Sequence, residues 1–256
     1  PFHLEAYGET TVNYNRDIEI YPVLRAMFEQ IYGECPYASP TDMGVNMAGL
    51  SIVDDEVCRE ASKQEIIRRY FKTACLVRQG LASEAELQKI ENLMRQLKLE
   101  PENRPVVPAA LKRAEATGQP AAALELPDGT IVTGRTSELL GASSALTLNA
   151  LKMLAGIPHE VKLISPTVIA PIQTLKTDYM QSRNPRLHTD EMLVALAISA
   201  ATDENAMRAM QKLDELSGCD LHSSVILGSV DDSVFKRLGI NVTCEATYED
   251  NNLYHK

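Results

Sequence analysis

Apolar residues recur at helical spacing through much of the first hundred positions. Leu24, Met27, Phe28 and Ile31 form one stripe over 18–32, with Gly33 as its stop. Pro22 is expected in the first turn of that helix, where a missing N–H costs nothing. A longer helix is predicted from Asp54 or Asp55 to about Arg78, with Ile66, Ile67, Tyr70, Phe71 and Ala74 on its buried side and Gly80 as its end. Ser83-Glu-Ala-Glu86 reads as a capping box opening a third helix to about Leu97, the serine accepting a backbone N–H while the glutamate reaches back. Pro101, Pro105 and Pro108 mark a connector, and a short helix precedes Gly118.

The pattern changes at Ala121. Residues 121–126 and 130–133, joined through Pro127-Asp-Gly129, predict a β-hairpin with Asp-Gly in the turn. Helices are expected over 137–155, 168–179, 189–201 and 204–216, and a short one over 231–238. Short strands are expected at 161–165, ended by Pro166, and at 223–227 and 240–244. The fold class is therefore α/β (or α+β): a helical N-terminal lobe, then a small mixed β-sheet flanked by helices. The division is expected near 117–121, giving a helical lobe with a polar opening segment over 1–118 and an α/β domain over 119–256.

Charge narrows the partners. Lys and Arg number 25 against 35 Asp and Glu, a net charge of -10, the opposite of what phosphate neutralisation on nucleic acid requires. Neither nucleic acid nor an anionic membrane is expected as a partner. The apolar run 192–198 continues only through Ser199 and two alanines, well short of the roughly 20 residues of a membrane span. Cys35, Cys58, Cys75, Cys219 and Cys244 are odd in number and contain no C-x-x-C pair, which favours reduced thiols and a cytoplasmic setting. The chain opens on Pro1 inside an information-dense segment, so it is expected to be a piece of something longer.

That opening segment holds the densest candidate chemistry. His3 and Glu5 are two apart, so an extended backbone points them to one side, a workable pair for a metal or for proton transfer. Glu9, Asn13 and Asp17 are four apart and would share a helix face; a capped, solvated helix start is the equally weighted alternative. Arg16 suits a phosphate or carboxylate clamp. Thr41-Asp-Met-Gly-Val-Asn46 is a loop whose glycine allows close backbone approach to a ligand, with Asp42 and Asn46 as the ligating candidates and a plain turn as the simpler reading. Lys63, Arg68, Arg69 and Lys72 give one helix a basic face, usually just solvated, but able to hold phosphate if it faces the opening segment.

Other arrangements carry less. Gly141-Ala-Ser-Ser144 looks like the serine elbow of hydrolases, but 136–140 reads as helix where an elbow needs a strand. Cys219 and His222 are three apart, on opposite faces of a strand. His188 with Asp190 and Glu191 reads as a helix start, where acids favour the dipole. H-E-x-x-H and the Walker phosphate loop are both missing from the sequence.

Several stretches resemble a bacterial family known only as domain of unknown function 1846 (uncharacterised protein family 0371). They are Phe2-His-Leu-Glu-Ala-Tyr-Gly-Glu-Thr-Thr-Val-Asn-Tyr-Asn-Arg-Asp-Ile-Glu19, Pro40-Thr-Asp-Met-Gly-Val-Asn46, Val53-Asp-Asp-Glu-Val57 and Ala61-Ser-Lys-Gln-Glu-Ile-Ile-Arg-Arg-Tyr-Phe-Lys72. The likeness continues through Asp128-Gly-Thr-Ile-Val-Thr-Gly134, Leu163-Ile-Ser-Pro166 and Leu238-Gly-Ile-Asn-Val-Thr-Cys244. The resemblance implies proteins about twice this long, of which this chain is the C-terminal half only. It also implies a glycine-rich, P-loop-like front domain, which this sequence does not contain. Some members are labelled ATP-dependent zinc proteases; the zinc half of that label finds no ligand motif here.

Two functional expectations follow. In the first, the chain completes a ligand-binding or catalytic cleft with its own N-terminal domain, which would bind a nucleotide and a divalent cation. His3, Glu5 and Asp17 would then be catalytic, and Glu9, Asn13, Arg16, Asp42, Asn46, Arg68 and Arg69 would bind a small phosphorylated or anionic ligand. In that picture His3 or Glu5 handles protons, and Asp17 or Asp42 positions the ion. In the second, this is an assembly or regulatory module, a homo-oligomer whose alanine-rich helices over 137–155 and 189–201 make the subunit interface.

Overall fold

The computed structural model describes residues 14–37 and 55–249 of the chain. Contacts divide it into two compact units, Pro1–Arg104 and Pro105–Lys256.

The first unit is helical in its described part. Helix α1 runs Tyr14–Tyr32, α2 Asp55–Arg78 and α3 Glu84–Leu97. Because α1 already begins at Tyr14, Pro22 lies in its interior and not in the expected first turn, and it removes one rung of the helical ladder. Tyr21 is buried and its hydroxyl donates to the Tyr37 carbonyl at 2.8 Å, tying the far end of the helix to the chain that follows. Helix α2 buries Ile66, Ile67 and Phe71, and α3 buries Ile90, Leu93 and Met94. These two apolar faces pack on each other, and α3 also contacts α1. The capping box at the start of α3 is formed: Glu86 N donates to Ser83 Oγ at 3.4 Å, and Ser83 N donates to Glu86 Oε1 at 3.3 Å.

The second unit is an α/β layer structure. Helix α4 (Val106–Thr117) leads into strands β1 (Ala121–Glu125) and β2 (Ile131–Arg135). Helices α5 (Ala142–Leu154) and α6 (Pro166–Thr174) follow, then a π-helical turn over Leu175–Tyr179. Helices α7 (Thr189–Ala200) and α8 (Glu204–Met210) precede strand β3 (Asp220–Ser223), helix α9 (Ser229–Arg237) and strand β4 (Asn241–Cys244). The sheet order is β2-β1-β3-β4; the first two pairings are antiparallel and β3–β4 is parallel, with α9 as the crossover.

The hairpin forms around the predicted turn. Gly129 N donates to Leu126 O at 2.9 Å and Leu126 N to Thr130 O at 2.9 Å, with Gly129 at φ 82°. A left-handed residue after a tight turn is what a glycine supplies at no steric cost.

The two sheet faces are covered differently. Ala122, Leu124, Val132 and Leu221 belong to the main core, with Leu146 and Leu151 of α5, Leu196 of α7, Ala206 of α8 and Phe235 of α9. Ala123, on the opposite face of β1, packs against Val106 and Ala110 of α4. Helix α4 therefore belongs to the sheet's unit. Helix α5 comes unusually close to β2: a Cβ on Gly134 would sit 2.2 Å from the Leu146 amide nitrogen.

Four local expectations are corrected. Residues 161–165 form no strand; Leu163 and Ile164 are buried, but as an irregular segment that Ser165 ends by capping α6. An apolar run this short does not distinguish a strand from any other buried stretch. The strand expected at 223–227 lies earlier, at Asp220–Ser223, because the chain must leave the sheet to begin the crossover. Residues 136–140 are not helical: Ser137 Oγ accepts from Leu140 N at 3.1 Å, and Leu140 bridges to Leu187, so α5 starts only at Ala142. The helix expected over 204–216 is likewise α8 followed by a separate 3-10 turn at Leu213–Leu216.

Candidate functional site

Parallel strands joined by a helix gather the loops that follow them at one edge of the sheet, where open α/β sheets place their ligands. Here that edge carries the loop from Ser224 to the start of α9, and the segment after β4. The two are fastened together: Ile226 N donates to Thr247 O at 2.8 Å and Thr247 Oγ1 to Ser224 O at 3.1 Å.

An ionic network meets this edge. Asp231, in the first turn of α9, is 9% exposed. Its Oδ1 accepts from Thr189 N, the first amide of α7, at 2.8 Å, and its Oδ2 lies 3.8 Å from His188 Nδ1. One carboxylate thus satisfies an orphan donor of a different helix and faces the imidazole at that helix's N-cap. Glu191 Oε2, one turn into α7, accepts from His188 N at 2.9 Å and from Lys176 Nζ at 2.6 Å. Lys176 projects from the π-helical turn, is 5% exposed, and also donates to the Arg186 carbonyl at 2.5 Å. Arg186 Nη1 donates to Glu249 Oε1, on the segment after β4, at 2.8 Å.

These partners set the charge states. The Asp231 carboxylate facing it holds the His188 imidazole above its ordinary 6.5, against burial and the repulsion of Lys176. Burial pushes Asp231 upward, but the facing His188 imidazole and the bond from Thr189 N outweigh it, leaving the carboxyl below its ordinary 3.8. Lysine, arginine and a readily charged histidine are thereby held within a span of thirteen residues, each against a carboxylate from elsewhere.

The sequence-predicted site residues are distributed otherwise. His3, Glu5, Glu9, Asn13, Asp42 and Asn46 lie outside the described residues. Arg16 and Asp17 fall in the first turns of α1, of which only the backbone is described. Arg68 is on α2, where Nε and Nη2 both hold Glu65 Oε2, at 2.9 and 2.7 Å, and Arg69 is next to it, half-buried. His188, Asp190 and Glu191 do form a helix start as expected, but Asp231, Lys176, Arg186 and Glu249 were not singled out. Their signal is weak: a lysine in an apolar helical run and an aspartate at a helix start, separated by dozens of residues from what they touch.

Two other places offer less. His222 is fully buried on β3, with Nδ1 2.9 Å from Thr243 Oγ1 and Nε2 3.2 Å from Glu245 Oε1, a cross-strand arrangement that fastens β4. Cys219 lies apart from it, its Sγ directed to the Glu215 carbonyl at 3.6 Å. An open cleft of about 600 Å³ at the opposite end of β3 is lined by Glu125, Asp128, Cys219 and Asp220 among others. Burial first, then Asp220 and Glu125, push the Cys219 thiol up and so away from the nucleophilic thiolate. The hydroxyl of Ser144 is buried and donates to Leu187 O at 2.8 Å, so the Gly141-Ala-Ser-Ser144 stretch joins segments and exposes no nucleophile there. Among the described residues, no group of three or more His, Cys, Asp or Glu side chains is placed to hold a metal ion.

Fold and edge together define a mixed α/β protein with a helical first unit. No helix among the described residues is long and apolar enough to cross a membrane. The chain belongs to the family described as domain of unknown function DUF1846: residues 1–98 match its N-terminal domain and residues 102–254 its C-terminal domain. The expected confinement to the C-terminal half is corrected accordingly, since the first unit carries N-terminal-domain sequence. The chain is 57% identical over 256 residues to a UPF0371 protein of Streptococcus thermophilus, covering 100% of this chain and 52% of that protein. It is 56% identical over its full length to UPF0371 proteins of Corynebacterium aurimucosum and Streptococcus pneumoniae, covering 51% and 52% of them. The chain thus spans about half the length of the curated relatives it matches.

Proposed function

We propose that this chain contributes a binding site for a small anionic ligand to a longer bacterial protein, with the α/β unit holding the anion at the carboxyl edge of β3 and β4. The observation that carries the reading is the convergence of Lys176, Arg186 and His188 on that edge. Arg186 is more accessible than Lys176: its guanidinium presents several donors, and its partner Glu249 sits on the segment after β4, so an incoming phosphate or carboxylate would exchange with Glu249. His188, near its charge transition and facing Asp231, is the group that would handle a proton. The opening-segment residues His3, Glu5, Glu9, Asn13, Arg16 and Asp17, with Asp42, Asn46, Arg68 and Arg69, remain the proposed contribution of the first unit to nucleotide or divalent-cation binding, with the preceding part of the family protein as partner.

The test is thermal unfolding of the full-length protein with inorganic phosphate, pyrophosphate, ATP and a sugar phosphate. At 100 times Kd a ligand adds about 2.7 kcal/mol of stability. The site predicts a rise in Tm with at least one of these anions that Arg186→Gln abolishes. A rise untouched by Arg186→Gln and lost in Arg16→Gln would move the site to the opening segment; no rise with any would remove the reading.

One observation favours an assembly module as the second reading. On α7, Val194 and Ile198 are 59% and 56% exposed, and Ala197 and Ala201 are exposed beside them. An exposed apolar stripe at helical spacing suits a partner. On that reading the Val194→Glu, Ile198→Glu double variant stays folded and sediments as a smaller species than the parent; an unchanged sedimentation coefficient counts against it.

A further inference from the structure

Helices α7 and α9 share the apolar core and are also linked by one carboxylate, which has two different dealings with α7. Asp231 Oδ1 takes the Thr189 amide at 2.8 Å, a bond that any side-chain carbonyl could accept. Oδ2 faces His188 Nδ1 at 3.8 Å, a contact whose strength depends on a proton. His188 is both the N-cap of α7 and the nearest titrating group to the crossover helix.

We propose that the His188–Asp231 pair is a proton-operated clamp between α7 and the crossover helix α9, tight when His188 is protonated and slack when it is neutral. The clamp stands whether or not the sheet edge takes a ligand. With the imidazole charged, Asp231 holds α7 by a charge pair and a backbone bond; with it neutral, only the backbone bond is certain to remain. The other charged residues on the elements around the pair belong to its setting. They are Asp190 and Glu191 on α7, Lys176 and Asp178 on the π-helical turn, Arg183 and Arg186 on the segment before α7, Asp232 on α9 and Glu249 after β4. Lys176 opposes the protonated imidazole, while Asp231 and Glu191 favour it. Glu191 is already held by Lys176 and Arg186 by Glu249, which leaves Asp231 as the anion whose nearest cation is the imidazole.

The direction follows from linkage. A histidine whose folded-state value is raised contributes stability below its unfolded value, and that contribution disappears as pH rises through the folded one. The clamp is therefore closed below the histidine's ordinary 6.5 and opens as pH rises through the raised folded-state value.

The experiment is an NMR titration of the His188 ring combined with hydrogen exchange of the Thr189–Met192 amides, in the whole chain. Asp231→Asn is the informative variant, since its amide oxygen still accepts from Thr189 N while its charge is gone. In the parent, His188 titrates above 6.5 and first-turn protection of α7, corrected for the intrinsic rate, falls as pH rises through that titration. In Asp231→Asn the titration moves down and the pH dependence of protection disappears. His188→Gln serves as a second variant, folded and with protection independent of pH. A parent His188 that titrates at or below 6.5, a titration unmoved by Asp231→Asn, or parent protection equal on both sides of that titration would overturn the clamp.

Discussion

Asp231 is the residue on which the second unit's polar architecture turns. It is nearly buried, and a buried carboxylate is tolerated only when its charge is met by bonds. The Thr189 amide and His188 imidazole meet it, and hold its titration below 3.8. The carboxylate therefore contributes stability above 3.8, and that contribution is lost as pH falls through the depressed value. Asp231→Asn should cost about 2 kcal/mol near pH 5, the scale of a hydrogen bond to a charged group in a partly buried site. The difference from the parent should shrink in urea unfolding at pH 3, below the ordinary 3.8, where the unfolded carboxyl is protonated and the contribution is being lost. An equal difference at pH 5 and pH 3 would mean that the charge contributes nothing and only the shape of the side chain matters. None of this was readable from the sequence: Asp231 and Thr189 are 42 residues apart, and long-range pairing leaves no periodic trace.

At the scale of the elements, what could be read was whatever is enforced locally. The capping box at Ser83, the hairpin around Asp128-Gly129, the glycine stops at Gly80 and Gly118 and the helix start at His188 all depend on neighbours within a few residues, and all formed. The failures share the opposite cause. The 161–165 stretch is apolar enough for a strand but found no strand to pair with, while β3 begins at Asp220 because its pairing with β1 fixes its position. The 136–140 stretch was drawn off the helical path by the bridge from Leu140 to Leu187. Gly134 permits α5 to approach β2 so closely that any side chain would strike the Leu146 backbone. Gly134→Ala should therefore force helix and sheet apart at a cost of about 3 kcal/mol, the upper range for overpacking. Urea unfolding followed by circular dichroism measures it, and a loss below 1 kcal/mol would show that α5 can retreat freely.

For the molecule as a whole, the fold class was legible and the chemistry less so. A helical first unit and an α/β second unit follow from the change of periodicity at Ala121, but the sheet's unit begins earlier, at Pro105, because α4 covers the face of β1 that α5 does not. The opening segment that attracted most attention in the sequence has its side chains outside the described residues, whereas the ionic edge drew only the helix-start reading of His188. The chain spans about half the length of the curated relatives it matches, so the anion site is a proposal for the full-length protein. Its most direct test is to titrate inorganic pyrophosphate into the ¹⁵N-labelled full-length protein and follow the backbone amides. The site predicts saturable shifts concentrated at residues 186–191, 224–231 and 245–249, reduced at least tenfold in affinity by Arg186→Gln. Saturable shifts confined to other regions, or none at millimolar pyrophosphate, would contradict it.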